Sequence, residues 1–379
     1  MLKRLGVGDA DLEIADAIRR FAQAELAPHA AQVDRDEVST TRYVPALAEL
    51  GVMGLNLPER WGGIGASPAA IVLALAEIAQ ACAATSSMIG AHYLATDSVL
   101  IGGDDALRAR YLPDAATGAK LGAFALTEPQ AGSNPAGMTT QAVRDGAAYR
   151  LRGVKHFISN ADAAQFIVVY AKTAPELGTR GISAFVVDRD TPGVSVSAPE
   201  KLMGIHGAPA HEVAFDCMVP ASNRLGEEGS GFRTAMKVLD NSRLDVAATS
   251  LGIAEAALGD AIDWAKQRHV GGEPLANKQG LQWRFADMKT QLEAAWLLTL
   301  QAAARRAAGE PFTDLASMAK LYASEMVAFV TDAALQVHGG YGFTREMRIE
   351  RLVRDARILR IYEGSSEIQR TVIARTMLA

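Results

Sequence analysis

Glu363, near the carboxyl end of the chain, stands in a setting that suits a catalytic base. It lies in the stretch RIYEGSSEIQR, after Ile361 and Tyr362 and before Gly364. Apolar neighbours remove water from a carboxylate and raise its pKa towards the range in which it can accept a proton near neutral pH. The glycine allows the backbone to approach its surroundings closely. The alternative is a structural glutamate that the dipole of the following helix stabilises.

The residues that follow predict a rigid support for this carboxylate. Ser366 and Gln369 match a capping box, in which two side chains satisfy free N–H groups at the start of a helix. We therefore expect Glu363 at the mouth of the last helix.

Two polar stretches further up the chain could bind a flat, partly anionic ligand. The first, AFALTEPQAGSN (123–134), offers backbone N–H groups and the hydroxyls of Thr127 and Ser133. The second, KHFISNAD (155–162), places Phe157 and Ser159 on one face if the segment is extended. The ring could stack on a ligand and the hydroxyl could bond its edge. An ordinary turn and an ordinary half-buried strand are the alternatives.

A third stretch, QVHGGYGF (336–343), ends a predicted helix with paired glycines. Capping explains the glycines but not Gln336, which could hydrogen-bond a ligand. His206 and His338 have no nucleophile or metal ligand at a recognisable spacing, so we interpret both as structural, and we expect no metal site.

Composition excludes several classes of protein. Lys and Arg number 38 against 43 Asp and Glu, without a basic stripe, which argues against a nucleic-acid binder. The two cysteines, Cys82 and Cys217, cannot form a disulfide framework. No apolar run reaches the length of a membrane span, and the start of the sequence lacks a secretory pattern. We expect a cytoplasmic protein that acts on a small molecule.

The chain of 379 residues is long enough for two or three domains. Helical spacing of apolar residues predicts a helical domain over 1–119. The β-rich runs FIVVYAKT, ISAFVVD, VSVSA and EVAFDCMV predict a β domain, sandwich-like or barrel-like, over 120–231. Ala-rich periodic segments predict a four-helix bundle over 232–379. The expected class is α+β, mainly α, with bundle helices near 232–268, 279–308, 313–338 and 346–377. A ligand could lie where the β domain meets the bundle.

Seven segments along the chain form a joint pattern: TEPQAGSN, KHFISNAD, RLGEEGSGF, LDNSR, QRHVGGEPL, QVHGGYGF and IYEGSSEIQR. In this order and spacing they make the chain resemble the acyl-CoA dehydrogenase flavoprotein family over nearly its whole length. The resemblance implies the same three-domain fold, a homotetramer and non-covalent FAD between the β domain and the bundle. It also implies oxidation of an acyl-CoA to a trans-2-enoyl-CoA in fatty acid β-oxidation, with electrons passing to an electron-transferring flavoprotein.

The resemblance assigns roles to particular residues. Glu363 matches the family's base. The positions that match FAD contacts are Phe124, Leu126, Thr127, Gly132, Ser133, Phe157, Ile158, Ser159, Arg268, Gln279, Gln336, Val337, Gly339, Gly340, Ser365 and Glu367. Among these, the segments around Arg268 and Gln336 match regions that reach the FAD of a neighbouring subunit. The positions that match substrate contacts are Ser133, Asp240, Arg243, Tyr362 and Gly364.

The sequence also departs from the family pattern. Some relatives carry the base just before the arginine of the LDNSR-like segment, but that position is Ser242 here. Gly271 replaces a phenylalanine of the FAD site, and Ala208 replaces a serine that often meets CoA. Glu367 often corresponds to glutamine in relatives.

Two other interpretations of the function stay open. One is a relative that uses oxygen as acceptor or acts on a carbon acid that is not a thioester. The other is a non-catalytic flavin-binding interaction protein, for which we would expect a basic carboxyl-terminal extension. The sequence leaves acyl length and branching undecided.

Overall fold

The computed structural model describes residues 7–378, and the chain begins there with helices, as predicted. Caps explain where some of them start: Ser67 accepts a hydrogen bond from the N–H of Ala70 at 3.0 Å, and Asp104 accepts one from Leu107 at 2.8 Å. The α-helices of this part are α1 (Asp9–Phe21), α2 (Ala30–Asp36), α3 (Val44–Glu49), α4 (Pro68–Ala81), α5 (Ala83–Gly102) and α6 (Asp105–Ala116).

The middle of the chain forms one eight-stranded sheet in the order β6-β7-β3-β2-β4-β5-β8, with β1 paired in parallel to β4. Its strands are β1 (Gly122–Ala125), β2 (Gln141–Asp145), β3 (Ala148–Ser159), β4 (Phe166–Lys172), β5 (Ile182–Asp188), β6 (Val194–Val196), β7 (Ala210–Pro220) and β8 (Arg224–Leu225). Four of them, β4 to β7, coincide with the β-rich runs of the sequence. Strand β3 has a register shift between Lys155 and Ile158, where Phe157 has a φ of +58°.

The last part of the chain is helical again, with a short hairpin at the first connection. Its elements are α7 (Gly231–Gln267), β9 (His269–Val270), β10 (Glu273–Pro274), α8 (Gln279–Ala307), α9 (Thr313–His338), α10 (Arg348–Ala356) and α11 (Ser366–Leu378). The predicted single helix over 346–377 is wrong, because it is broken between α10 and α11. Glu363 and Gly364 have φ values of +54° and +92°, which no right-handed helix can accommodate.

Helix α7 joins the bundle to the first part of the chain. At Gly252 the backbones of α7 and α4 come so close that a Cβ atom would lie 2.1 Å from the carbonyl oxygen of Ala76. Apolar side chains of the two regions form one continuous core, as with Ile78 of α4 and Leu251 of α7. Within residues 7–378, no helix combines the length and the apolar composition that crossing a membrane requires.

Candidate active site

The backbone of Glu363 is fixed by groups from two other elements. The side-chain amide of Gln369 in α11 donates to the carbonyl oxygens of Glu363 and Gly364, at 3.1 and 2.9 Å. Lys320 of α9 donates to the same Gly364 carbonyl at 2.7 Å. A Cβ atom at Gly364 would lie 2.5 Å from the amide nitrogen of Gln369. A side chain larger than hydrogen at this position would therefore disturb the support of the glutamate.

The predicted capping box is wrong. Ser366 is the first residue of α11, and its hydroxyl donates to Glu325 of α9 at 2.6 Å instead of capping the helix. The hydroxyl of Ser365 accepts a weak bond from the N–H of Ile368 at 3.5 Å. Gln369 supports the preceding turn from inside the helix. Glu367, which follows Ser366, points to solvent.

The setting of the Glu363 carboxylate suits a proton acceptor. Its Oε2 atom is sealed from solvent and has no hydrogen-bond partner within residues 7–378. Burial raises the pKa of Glu363 well above its ordinary value, and the charge of Asp245 raises it further, while Lys320 and Arg243 oppose the shift. Of the two apolar neighbours that the sequence suggested as a cover, Ile361 is 51% exposed, whereas Tyr362 is partly buried against the core.

Two buried cations flank this carboxylate. Arg243 is 5% exposed and pairs with Asp240, whose other oxygen accepts a hydrogen bond from Thr313 at 2.6 Å. The Nε atom of Arg243 has no partner among the described residues, so this N–H is available to a ligand. Lys320 is fully buried, and burial lowers its pKa to about 8 although Glu363 partly offsets that effect.

The two polar stretches of the β domain lie against each other. The N–H of His156 in β3 donates to the carbonyl oxygen of Thr127 at 2.9 Å, and the ammonium of Lys155 donates to that of Leu126 at 2.9 Å. Strand β3 and the loop that follows β1 are thus joined within the two stretches that the sequence singled out.

A buried ion pair holds this junction, and sequence reasoning missed it. Lys155 and Glu128, which are almost fully buried, meet at 2.9 Å. The same carboxylate accepts hydrogen bonds from the N–H groups of Thr139 and Thr140, at 2.6 and 3.0 Å. The signal for Lys155 was a lysine at an inward position of an alternating strand, where burial requires a partner.

The predicted flavin-contacting residues of β3 present an exposed ring beside a hydroxyl. Phe157 is 58% exposed, Ser159 is partly exposed, and the intervening Ile158 is buried in the sheet core. The side chains of Phe157 and Ser159 therefore both lie on the side away from the core. The positive φ of Phe157 makes this face of β3 less regular than the face of an ordinary strand. Ile158 can offer only its backbone to a ligand.

The residues predicted around the loop after β1 differ in exposure. Phe124 is half-buried against Tyr170, with ring centroids 5.1 Å apart, and Leu126 is buried. Gly132 and Ser133 are exposed, and a Cβ at Gly132 would have no atom of the described residues within 4 Å beyond its chain neighbours. The loop thus offers an open, polar surface.

Helix α5 connects the region around Phe157 with Glu363. The side-chain amide of Asn160, directly after β3, donates to the carbonyl oxygen of Met88 at 2.9 Å. The neighbouring Ser87 lies beside Tyr362. One turn of α5 therefore lies between Asn160, which directly follows β3, and Tyr362, which directly precedes Glu363.

The predicted subunit-crossing residues lie apart from this region, where α7 ends. The guanidinium of Arg268 lies 5.8 Å from the ring centroid of Tyr341, in the turn after α9. Trp264 stacks on His338 with a centroid distance of 5.2 Å. Of the predicted residues, Val337 is buried, whereas the others are exposed: Arg268, Gln279, Gln336, Gly339 and Gly340.

The remaining sequence observations fit structural roles. The ring nitrogens of His206 lie 2.9 and 3.0 Å from the carbonyl oxygens of Asp34 and Leu202, and His338 bonds to its own helix. Ala208 is buried in the core, and Gly271 lies in the exposed β9–β10 hairpin with a φ of +67°. Within the described part of the chain, no cluster of His, Cys, Asp and Glu side chains could hold a metal ion.

The side chains present fit a flavin. Phe157 exposes its aromatic ring on the same side of β3 as the hydroxyl of Ser159. An exposed aromatic face with an adjacent donor suits a heterocyclic ring, and the open loop at Gly132 and Ser133 suits a phosphate.

Comparison with known proteins agrees with this arrangement. The amino-terminal, middle and carboxyl-terminal domains of acyl-CoA dehydrogenases match residues 8–119, 123–218 and 229–378. The chain is 43% identical to an acryloyl-CoA reductase (NADH) of Anaerotignum propionicum, over 95% of this chain and 92% of that protein. It is 40% identical to an acyl-CoA dehydrogenase of Bacillus subtilis, over 95% and 96%.

Solved structures give the same result. Butyryl-CoA dehydrogenase of Megasphaera elsdenii superposes with a TM-score of 0.96 at 38% identity, over 98% of this chain and 99% of that one. The matches in sequence and in fold extend through all three parts of the molecule, so the chain belongs to the acyl-CoA dehydrogenase family of oxidoreductases.

Proposed function

We propose that this chain catalyses the FAD-dependent α,β-dehydrogenation of an acyl-CoA thioester to a trans-2-enoyl-CoA. The observation that carries the proposal is the sealed, unpartnered Oε2 atom of Glu363, with Arg243 beside it. The family membership supports the reaction class.

Glu363 acts as the base. The carbon next to a thioester carbonyl is a weak acid, so its proton must pass to a carboxylate that is close and poorly solvated. Oε2 accepts this proton from the α carbon of the acyl group, and the β carbon loses hydride. The charges of Arg243 and Lys320 favour the ionised form of the carboxylate and so oppose the rise in its pKa.

FAD, when bound, supplies the acceptor for the hydride. The residues that would hold its ring are Phe157, Ser159 and Thr127, with Phe124 and Leu126 behind them. Gly132 and Ser133 would meet its more polar part, and Ser133 together with Asp240 and Arg243 would meet the CoA thioester. Ser365 and Glu367 would contact FAD from the start of α11, and Tyr362 and Gly364 the acyl group.

We also propose the assembly and the setting that the family suggests. A homotetramer would bring Arg268, Gln279 and the Gln336–Gly340 segment of one subunit to the FAD of another. The exposed aromatic rings of Tyr341, Phe343 and Trp283 at this end of the bundle support a subunit contact.

The remaining parts of the proposal concern cell context and boundaries. An electron-transferring flavoprotein would receive the electrons, in fatty acid β-oxidation. Cys82 and Cys217 are buried and unbonded, which fits the reducing cytoplasm. Domain boundaries after residues 119 and 231 fit the start of β1 at Gly122 and of α7 at Gly231.

Anaerobic titration with a series of acyl-CoAs tests the reaction. Purified protein should be yellow, with one FAD per chain, and its absorbance near 450 nm should fall as the substrate is oxidised. Oxygen uptake during turnover would indicate the oxygen-using alternative. Failure of every thioester to bleach the flavin, or a colourless protein that FAD does not reconstitute, would exclude the proposed reaction.

A further inference from the structure

Helices α5 and α7 face each other across a row of polar side chains. On α7, Asn241, Asp245 and Thr249 recur at helical spacing and so share one face. The first donates to Asp97 of α5 at 2.7 Å, and the last shares a hydrogen bond with Ser86 of α5 at 2.8 Å. Asp245 lies between them and therefore faces α5 as well.

Asp245 has no partner in this row. It is only 7% exposed, and no donor within residues 7–378 bonds to its carboxylate. By contrast, Asp97 accepts hydrogen bonds from Asn56 and Asn241, both at 2.7 Å. The unpartnered oxygens of Asp245, unlike Oε2 of Glu363, keep some accessible surface. They therefore border a space that a small polar group can enter.

Opposite Asp245, helix α5 carries a glycine. Ser86, Gly90 and Asp97 lie on one face of α5, and Gly90 lies between the two residues that bond to α7. Gly90 is buried, yet a Cβ atom built on it would have no atom of residues 7–378 within 4 Å, apart from its chain neighbours and the backbone of its own helix. Because most buried positions are close-packed, open space at a buried glycine marks a cavity between the two helices.

This cavity adjoins the proposed base. The charge of Asp245 acts on Glu363, on Tyr362 and on Tyr93 of α5. Burial raises the pKa of Asp245 to about 7, and Arg306 opposes the shift. An acyl chain that places its reacting carbons at Glu363 therefore has this carboxylate within its pocket.

We propose that Asp245 makes the pocket selective for an acyl group that carries a hydrogen-bond donor, either a hydroxyl or an ammonium group. A pocket for hydrocarbon alone would be lined by apolar side chains. An unsubstituted chain desolvates Asp245 without pairing it, whereas a donor on the chain satisfies it. This inference rests on the proposed dehydrogenation, since it names the substrate class of the same site.

Matched pairs of substrates test the proposal. Butyryl-, pentanoyl- and hexanoyl-CoA are compared with their terminally hydroxylated partners, and hexanoyl-CoA also with 6-aminohexanoyl-CoA, by kcat/KM for anaerobic flavin reduction. A hydrogen bond to a charged group corresponds to a preference of about 10-fold to 100-fold. We expect wild type to prefer a substituted chain by that factor for at least one length.

Two variants and a control sharpen the result. Asp245→Val should remove or reverse the preference, and Asp245→Asn should keep a preference for hydroxyl but lose one for ammonium. Thr249→Val, one turn further along the same face, should leave the preference unchanged. A wild-type enzyme that uses the unsubstituted chain equally well or better at every length overturns the proposal, whatever the variants do.

A binding measurement separates this inference from the proposed reaction. Calorimetry with 3-thia-acyl-CoAs, in which sulfur replaces the carbon that loses hydride, reads the preference without turnover. If no thioester bleaches the flavin but the hydroxylated analogue still binds more tightly, the reaction fails and the selectivity stands. If bleaching occurs without any preference in rate or binding, the reaction stands and the role of Asp245 is wrong.

Discussion

Glu363 is positioned by its backbone more than by its side chain. Gln369 and Lys320 bind the carbonyl oxygens of the turn, and one oxygen of the carboxylate stays unpaired within residues 7–378. A residue with positive φ is strained unless its surroundings impose that conformation, and such positions cluster at functional sites. The turn therefore has a stable support, which leaves the reactive atom available.

The variant Glu363→Gln tests this division of roles. Glutamine retains the shape but cannot accept the proton, and positioned bases contribute about 10² to 10⁴ in rate. We expect flavin reduction to slow at least about a hundredfold, while FAD content and acyl-CoA binding are retained. Glu310→Gln, an exposed residue beyond α8, serves as the control. Near-normal reduction by the Glu363→Gln protein would make Glu363 structural.

The pH dependence of flavin reduction should report the same carboxylate. Because only ionised Glu363 can accept the proton, the rate should fall as pH drops through its raised pKa. Asp245→Asn removes a negative neighbour, so it should lower the pKa of Glu363. The fall in rate should then occur at lower pH than in wild type. Stopped-flow rates across the pH range measure both profiles. If the rate falls at the same pH in the variant and in wild type, the two carboxylates do not interact.

At the scale of elements, the junction of β3 with the loop after β1 depends on one buried ion pair. The variant Lys155→Met leaves the Glu128 carboxylate buried without a cation, and such a change costs about 3 to 5 kcal/mol. Lys155→Met combined with Glu128→Gln should cost less than Lys155→Met alone. Urea unfolding followed by tryptophan fluorescence gives these free energies.

An exposed ion pair provides the comparison. Lys201 and Glu37 meet at 3.1 Å in a solvated setting, so Lys201→Met should change the free energy of unfolding by less than about 1 kcal/mol. Equal effects at the two sites would show that Lys155 does not support the junction.

The spacing of apolar residues predicted most helices and strands, because each of them buries one face in the core. Strand β5 has the bounds of the run ISAFVVD, and α9 ends at His338, just before the paired glycines. The break at Glu363 and the bulge at Phe157 were not predictable in the same way. Both place a residue that is not glycine at positive φ, and only contacts from distant parts of the chain impose that conformation.

At the scale of the whole molecule, the site residues divide into two groups. Arg243 lies near Glu363, and Asn160 and Tyr362 both contact one turn of α5, whereas Arg268 lies at the far end of α7. The seven motifs predicted the family and the fold, but they did not point to Asp245. That residue became a candidate only when the structure placed it opposite Gly90 without a partner.

Arg268→Ala tests whether the far end of α7 serves a neighbouring subunit. If the guanidinium bridges subunits through FAD, its loss should lower FAD retention and weaken assembly together. Analytical ultracentrifugation and flavin content of the purified protein measure the two properties. Arg60→Ala, which removes an exposed guanidinium stacked on Trp61 elsewhere, is the matched control. Full FAD content in an intact assembly would exclude the cross-subunit contact.

The unbroken length of α7 limits how this chain can vary by insertion and deletion. With 37 residues it is about 55 Å long, and about 37 Å of it separate Arg243 from Arg268. Adding or removing one residue between them would rotate one end by about 100° relative to the other. It would also shift Gly252 out of its contact with Ala76. Insertions and deletions in proteins with this fold should therefore occur in the connecting loops, and α7 should keep a constant number of residues.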